Sequence, residues 1–277
     1  MAPRGLVGGK ARGFGTLIGA GLPVPDGFVI TTVAYRAAGG GDGPPGAVPP
    51  PLAERIEEAL GSLGDGPLAV RSSAGAEDGA EHSFAGQYAT LLGVRGVAEV
   101  LDAIVECWAS AAGHRAVAYG GRAGAAGVEM AVLVQALLHP DAAGVAFTAD
   151  PVTGDRQTLV VNASYGLGEA VVSGVVTPDD YRLARDDGRI VRLDVGDKDV
   201  MMVWDGGSVR EVDVPPAHRG ARALDDEALA AIHRGALACE EILGRPVDCE
   251  FCVCDGRVMW LQCRPLTALP DLQRSTT

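Results

Sequence analysis

Lysine is nearly missing from this sequence: of 23 basic residues only Lys10 and Lys198 are lysine. With 39 glycines and heavy alanine use, the bias points to a GC-rich genome, whose codons favour arginine. A lysine that survives such a bias is a candidate for a position needing an ammonium rather than a guanidinium. Basic surface is scarce as well. The 36 acidic residues leave a formal charge of −13, which excludes the positive stripe of a nucleic-acid or anionic-membrane surface. No run approaches the ~18–20 apolar residues of a membrane span. The first ten residues hold no apolar core of signal-peptide length, so the chain is expected in the cytoplasm. The pattern G-x-x-x-x-G-K-[ST] is absent, which excludes a Walker A loop. The five histidines, His82, His114, His139, His218 and His233, show no ligand spacing and are expected to be mostly solvated.

The 277 residues amount to about two domains, and 47% hydrophobic with 21% charged residues describes a folded globule. Ala11–Ala20 reads as a helix, Gly27–Thr32 as a strand and Gly39–Pro51 as a proline- and glycine-rich loop. Apolar residues at 52, 56, 59, 60 and 63 predict a helix over Leu52–Leu63. Leu68–Val70 is a short strand entering a polar loop that runs to about Gln87. Val97–Trp108 and Arg115–Tyr119 read as two helices, followed by a flexible break over Gly120–Gly127. Strands then dominate: Val128–Leu138, Gly144–Thr148, Gln157–Ala163, Asp180–Arg185, Ile190–Asp194 and Val209–Val214. A helix over Leu224–Leu243 and a terminal hairpin close the chain. The break suggests an N-terminal lobe over 1–127, a C-terminal lobe over 128–268 and a frayed tail over 269–277.

Of six cysteines, Cys249, Cys252, Cys254 and Cys263 crowd together. C-x2-C is a zinc spacing. However, Val247–Cys254 alternates like a strand, which sends Cys249 and Cys252 to opposite faces. No second C-x-x-C follows, so these cysteines are expected to be reduced and to fill space as small hydrophobes.

The terminal hairpin carries Asp248, Glu250, Gln262 and Arg264. If Glu250 pairs with Gln262, Asp248 faces Arg264 and the four polar groups converge. The opposite face would then hold Cys249, Phe251, Val253, Met259, Leu261 and Cys263. Two oxygen ligands beside an arginine suit Mg²⁺ on phosphate oxygens. The locally favoured two-residue turn, Asp255-Gly256, instead pairs Glu250 with Leu261. Convergence requires a longer loop or a bulge, and a surface salt-bridge ladder is the competing reading. Arg71-Ser72-Ser73-Ala74-Gly75-Ala76-Glu77-Asp78 could present amides and hydroxyls to phosphate, yet such runs are also common plain loops.

Taken together, these stretches resemble the N-terminal ATP-binding domain of the phosphoenolpyruvate synthase, pyruvate phosphate dikinase and rifampin phosphotransferase group. The resemblance rests on Val7-Gly8-Gly9-Lys10, Gly21–Phe28, Val70–Ser73 with Ala76–Asp78, and Ser83–Gln87. It continues through Met130–Gln135, Gly144–Gly154, Gly166–Gly174, Val176–Pro178 and Leu261–Thr267, and so spans about residues 5–268. It implies an α+β ATP-grasp fold, two lobes clamping Mg-ATP. By the same resemblance Lys10 and Arg71 hold phosphates, the Ser83–Gly86 loop with Thr90 closes over them, and Gln135 lines the adenine side. Glu250 and Gln262 would bind Mg²⁺, with Arg264 on phosphate, which favours the convergent hairpin. Catalysis is then assigned to Lys10, Arg71 and Arg264.

The sequence also departs from the group. Asp248-Cys249-Glu250-Phe251 stands where relatives read Asp-Ile-Glu-Trp, and Cys263 replaces the serine of Gln-Ser-Arg-Pro. Gly75 removes a threonine hydroxyl, and the insert between Tyr35 and Arg71 is short. The group passes phosphate to a histidine in a Thr-Ser-His stretch, which has no match here. The resemblance therefore implies a phosphotransferase component acting on a histidine of a partner chain or of missing domains. A self-contained kinase or ATP-dependent ligase, and a non-catalytic nucleotide-binding module, are the alternatives. Lys198, in Gly196-Asp197-Lys198-Asp199, has no assigned role.

Overall fold

In the computed structural model the described residues are 6–40, 43–74, 89–118, 129–266 and 269, with the side chains of 112–118 and 172 set aside. They fall into two units, Met1–Gly15 with Pro25–Leu137 and Thr16–Val24 with Leu138–Thr277. The expected boundary after residue 127 therefore moves ten residues on. The strand beyond the break pairs with two strands of the first unit and belongs to its sheet. Residue 269 aside, the tail expected over 269–277 lies outside the described residues.

The first unit holds the start of α1 (Gly9–Gly19), then β1 (Gly27–Ile30), α2 (Thr32–Ala37) and α3 (Pro50–Leu60). It continues with β2 (Leu68–Ala74), β3 (Thr90–Val94), α4 (Gly96–Ala118) and β4 (Met130–Ala136). The strands form an antiparallel sheet in the order β1-β4-β2-β3. Alternation sends Leu68, Val70 and Ala74 of β2, and Met130, Val132 and Val134 of β4, into one core. There they meet Val100, Ile104, Cys107 and Trp108 of α4. Two sequence expectations change. Arg71-Ser72-Ser73-Ala74 continues β2 instead of opening a loop, because each residue finds a partner on β4. The two helices expected after Gly96 are one, since Ala111 shares the same core and glycine at 113 does not end the helix.

The second unit contains β5 (Ala142–Phe147), β6 (Thr158–Tyr165), α5 (Glu169–Val172), β7 (Asp179–Ala184) and β8 (Ile190–Asp194). After these come β9 (Val200–Trp204), β10 (Val209–Asp213), α6 (Pro216–Arg219), α7 (Asp226–Leu243), β11 (Val247–Cys254) and β12 (Arg257–Pro265). Six strands form an antiparallel sheet in the order β12-β11-β5-β6-β7-β8, and β9 pairs with β10 apart from it. The Asp225 carboxylate accepts the Ala228 amide at 2.8 Å to open α7, and left-handed Gly244 closes it. One stripe of α7 (Leu229, Ile232, Ala236 and Cys239) packs into the core with Phe251 and Trp260. Full burial of each large apolar side chain contributes about 1.5–3 kcal/mol. Gly235 is the point of closest approach: a Cβ there would lie 2.2 Å from the Trp260 ring. His233, on the same helix, departs from the expected solvated state. It is buried, with Nε2 3.0 Å from the Arg185 carbonyl.

Lys198 acquires its role here. It is fully buried, and Nζ donates to Asp179, also fully buried, and to the Gly196 carbonyl at 3.1 Å. Asp179 further accepts the Gly196 amide at 2.9 Å, the Ala223 amide at 2.7 Å and the Tyr181 hydroxyl at 3.0 Å. Tyr181 in turn accepts the Leu224 amide at 3.2 Å. One carboxylate thus ties the start of β7, the approach to β9 and the approach to α7. A buried charge is tolerated when it is paired and hydrogen-bonded; here the carboxylate accepts four hydrogen bonds and the ammonium donates two.

The GVAFTADPVTG stretch is likewise built for a turn. Asp150 accepts the Val152 and Thr153 amides at 2.8 and 3.0 Å and is paired with Arg182. Burial alone would raise its carboxyl, but these amides and the guanidinium outweigh it and hold the pKa below the usual value.

Candidate functional site

In the first unit, β2 carries the site residues on the face turned away from α4. Leu68, Val70 and Ala74 occupy the core face, so Arg71 and Ser73 point the other way. Arg71 lies directly opposite Thr90 on β3, and Gln135 on β4 lies opposite Ala69. Arg71, Thr90 and Gln135 therefore share one face of the sheet. Lys10, half-buried in the first turn of α1, is fixed to the same strand. The Ser73 hydroxyl accepts the Ala11 amide at 3.1 Å, satisfying one donor of the helix start. A Cβ on Gly8 would sit 2.1 Å from the Ser73 carbonyl oxygen, so only glycine lets this turn press against β2. Sequence reading offered the Ser73 hydroxyl to phosphate and missed its structural role, which is to hold the start of α1. Gly86 and the Ser83–Gly86 loop lie outside the described residues.

Gln135 is 2% exposed, and its Nε2 has no hydrogen-bond partner among the described residues. Leaving a buried amide donor unsatisfied costs about 1–3 kcal/mol. The donor lies on the sheet face that carries Arg71 and Thr90.

In the second unit the hairpin settles its own conflict. Asp255 and Gly256 form the two-residue turn, both with positive φ (51° and 71°). Cys254 then faces Arg257, and Phe251 faces Trp260. A bulge follows at once. Leu261 is the extra residue, and Glu250 is restored opposite Gln262, with Asp248 opposite Arg264. The favoured turn and the convergent pairing thus coexist. The bulge also reverses the facing of the β12 residues between it and the turn. Val258 and Trp260, not Met259 and Leu261, join Cys249, Phe251, Val253 and Cys263 in the core.

Asp248 grips Arg264 through Nε at 2.8 Å and Nη2 at 2.6 Å. Asp248 is 6% exposed and Gln262 9%, whereas Glu250 and Arg264 are half-buried, so the quartet runs from the core edge to the surface. Burial pushes the Asp248 carboxyl up; Arg264 pulls it down, and the Glu250 charge raises it further. The fork leaves Arg264 oriented by Asp248 beside Glu250 and Gln262. Their carboxylate and carboxamide oxygens are hard donors of the kind Mg²⁺ takes, so the residues fit that ion.

The sequence was compared with known proteins. Residues 45–277 match the family model described as pyruvate phosphate dikinase, AMP/ATP-binding domain. The chain belongs to this family. It is 44% identical to prodigiosin synthesizing transferase PigC of Serratia marcescens, over 94% of this chain and 31% of that protein. It is 35% identical to a probable phosphoenolpyruvate synthase of Methanothermobacter thermautotrophicus, over 98% of this chain and 45% of that protein. A rifampicin phosphotransferase of Bacillus cereus is 34% identical over 95% and 34%. The chain thus spans less than half the length of these curated relatives. Two mixed α+β units are consistent with the expected ATP-grasp class. No helix among the described residues is long and apolar enough to cross a membrane.

Proposed function

We propose that this chain is the nucleotide-binding part of an ATP-dependent phosphotransferase, acting on Mg-ATP. The observation that carries the reading is the bulged hairpin, which brings Glu250 to Gln262 and Asp248 to Arg264. In this reading Lys10, Arg71 and Arg264 take phosphate oxygens, Thr90 adds a hydroxyl, and the Gln135 amide meets the adenine edge. Gly86 would approach the phosphates with the rest of its loop. Glu250 and Gln262 would hold Mg²⁺, which when bound neutralises charge on the phosphates. The residues contribute by positioning and by stabilising developing charge, with no covalent protein intermediate required. The phosphoryl group would pass in line to a histidine of a partner protein or of further domains, and the cytoplasm is the compartment that the composition suits.

Two measurements test this. Calorimetric titration with Mg-ATP should show binding that weakens in Glu250→Ala and Arg264→Ala, by about 1.5–3 kcal/mol for each charge-assisted contact. Labelled ATP should then transfer its label to a histidine-bearing acceptor. Absence of nucleotide binding removes the reading. Turnover of a small molecule without an acceptor protein would instead identify a self-contained kinase or ligase. Binding without any turnover, indifferent to Glu250→Ala, would identify a non-catalytic module.

A further inference from the structure

The core face of the hairpin gathers three thiols that the nucleotide reading does not use. Cys249 of β11 lies directly opposite Cys263 of β12, and Cys239 of α7 meets both. All three are free and buried, with exposures of 0%, 0% and 2% for Cys239, Cys249 and Cys263. Their Sγ atoms lie within 4.8 Å of one another. Three points so spaced share a location within about 2.8 Å of each, which is 4.8 Å divided by √3. A metal–thiolate bond is about 2.3 Å long, as for zinc. Closing the triangle therefore asks each sulfur to move by about 0.5 Å or less. Among the described residues no histidine, aspartate or glutamate extends the group to four. The surroundings are apolar side chains such as Leu229, Ile232, Phe251 and Trp260. Hard cations want oxygen, and structural zinc wants a closed tetrahedron. Three sulfurs in a dry pocket suit a soft cation that accepts three sulfur ligands.

We propose that Cys239, Cys249 and Cys263 form a three-sulfur binding site for a soft, thiophilic cation of the copper(I) type. Metal binding releases one thiol proton to solvent, so that copper(I) and one thiolate cancel while the other two sulfurs bind as neutral thiols, leaving no net charge in the apolar core. The placement gives the site a consequence. Cys249 precedes Glu250, and Cys263 lies between Gln262 and Arg264. A bound ion would therefore hold the backbone that presents the opposite face. That link rests on the proposed function, whereas the metal site stands without it.

The test must exclude the second thiol pair on β11, Cys252 and Cys254, whose Sγ atoms are 3.9 Å apart with Cys254 half-exposed. The reduced full chain is titrated with copper(I) against a chromogenic chelator, and the loaded protein is studied by X-ray absorption. One ion with three sulfur neighbours is expected in the wild type and equally in Cys252→Ser/Cys254→Ser. Cys239→Ala and Cys263→Ser should each weaken uptake by at least about 100-fold. Metal-free melting curves show that each variant is folded, and loading should raise the wild-type midpoint but not theirs. Uptake that follows Cys252 and Cys254, a two-sulfur shell, or unchanged affinity in folded Cys239→Ala and Cys263→Ser would overturn the proposal. Neither arm depends on nucleotide, so failure here and failure of the ATP reading are separable.

Discussion

Replacing Lys198 with methionine is the perturbation whose outcome the structure specifies most sharply. The side chain has 0% exposure, as does its partner Asp179. Removing the ammonium leaves a carboxylate buried with three remaining donors: the Gly196 and Ala223 amides and the Tyr181 hydroxyl. Those bonds keep the oxygens satisfied but do not balance the charge. Breaking a buried pair by deleting one partner costs about 3–5 kcal/mol, against about 0–1 kcal/mol for an exposed pair. At about 2–4 °C per kcal/mol for a unit of this size, the melting transition should fall by about 6–20 °C. Lys198→Arg should not restore it, because the enclosed site matches a compact ammonium and not a planar fork. The double variant Lys198→Met/Asp179→Asn, which leaves no unpaired charge, should recover much of the loss. Differential scanning calorimetry of wild type, Lys198→Met, Asp179→Asn and the double variant closes the cycle. A single-variant loss below about 1 kcal/mol would refute the reasoning, since that is the behaviour of a solvated pair.

Gln135→Met should separate function from stability. It removes a buried orphan donor, so stability should hold or rise by about 1–3 kcal/mol, while Mg-ATP affinity falls; calorimetry reads both signs. Gly235→Ala should reverse the usual helix rule. Alanine normally favours a helix interior by about 1 kcal/mol. Here the added methyl meets the Trp260 ring at 2.2 Å, and overpacking should cost about 1–3 kcal/mol in chemical denaturation. Asp150 should govern part of the acid limb. A carboxyl depressed in the fold contributes stability above its unfolded pKa of about 3.8 and loses it as pH falls through the folded value. Asp150→Asn should therefore be less stable than wild type near neutrality, with the gap narrowing below about pH 4.

The sequence by itself determined most of the elements. A continuous apolar run marks β4, period-2 alternation marks β11, and Asp225 and Gly244 mark the ends of α7, because these are preferences of neighbours along the chain. It also supplied the candidate site residues through long family-like stretches. What it could not decide was every feature that depends on contact at a distance. Arg71 reads as the edge of a loop until β4 supplies partners for Ser72, Ser73 and Ala74. The hairpin turn and the polar convergence looked exclusive, since alternation cannot reveal that Leu261 bulges out of the ladder. Cys239, on a helix, showed no spacing relation to Cys249 or Cys263 and joins them only when α7 packs on the sheet. The two rare lysines diverge for the same reason. Lys10 lies on the first turn of a helix tied to β2, where a phosphate contact is proposed. Lys198 is enclosed by Asp179, a partner 19 residues away that only the folded sheet brings to it.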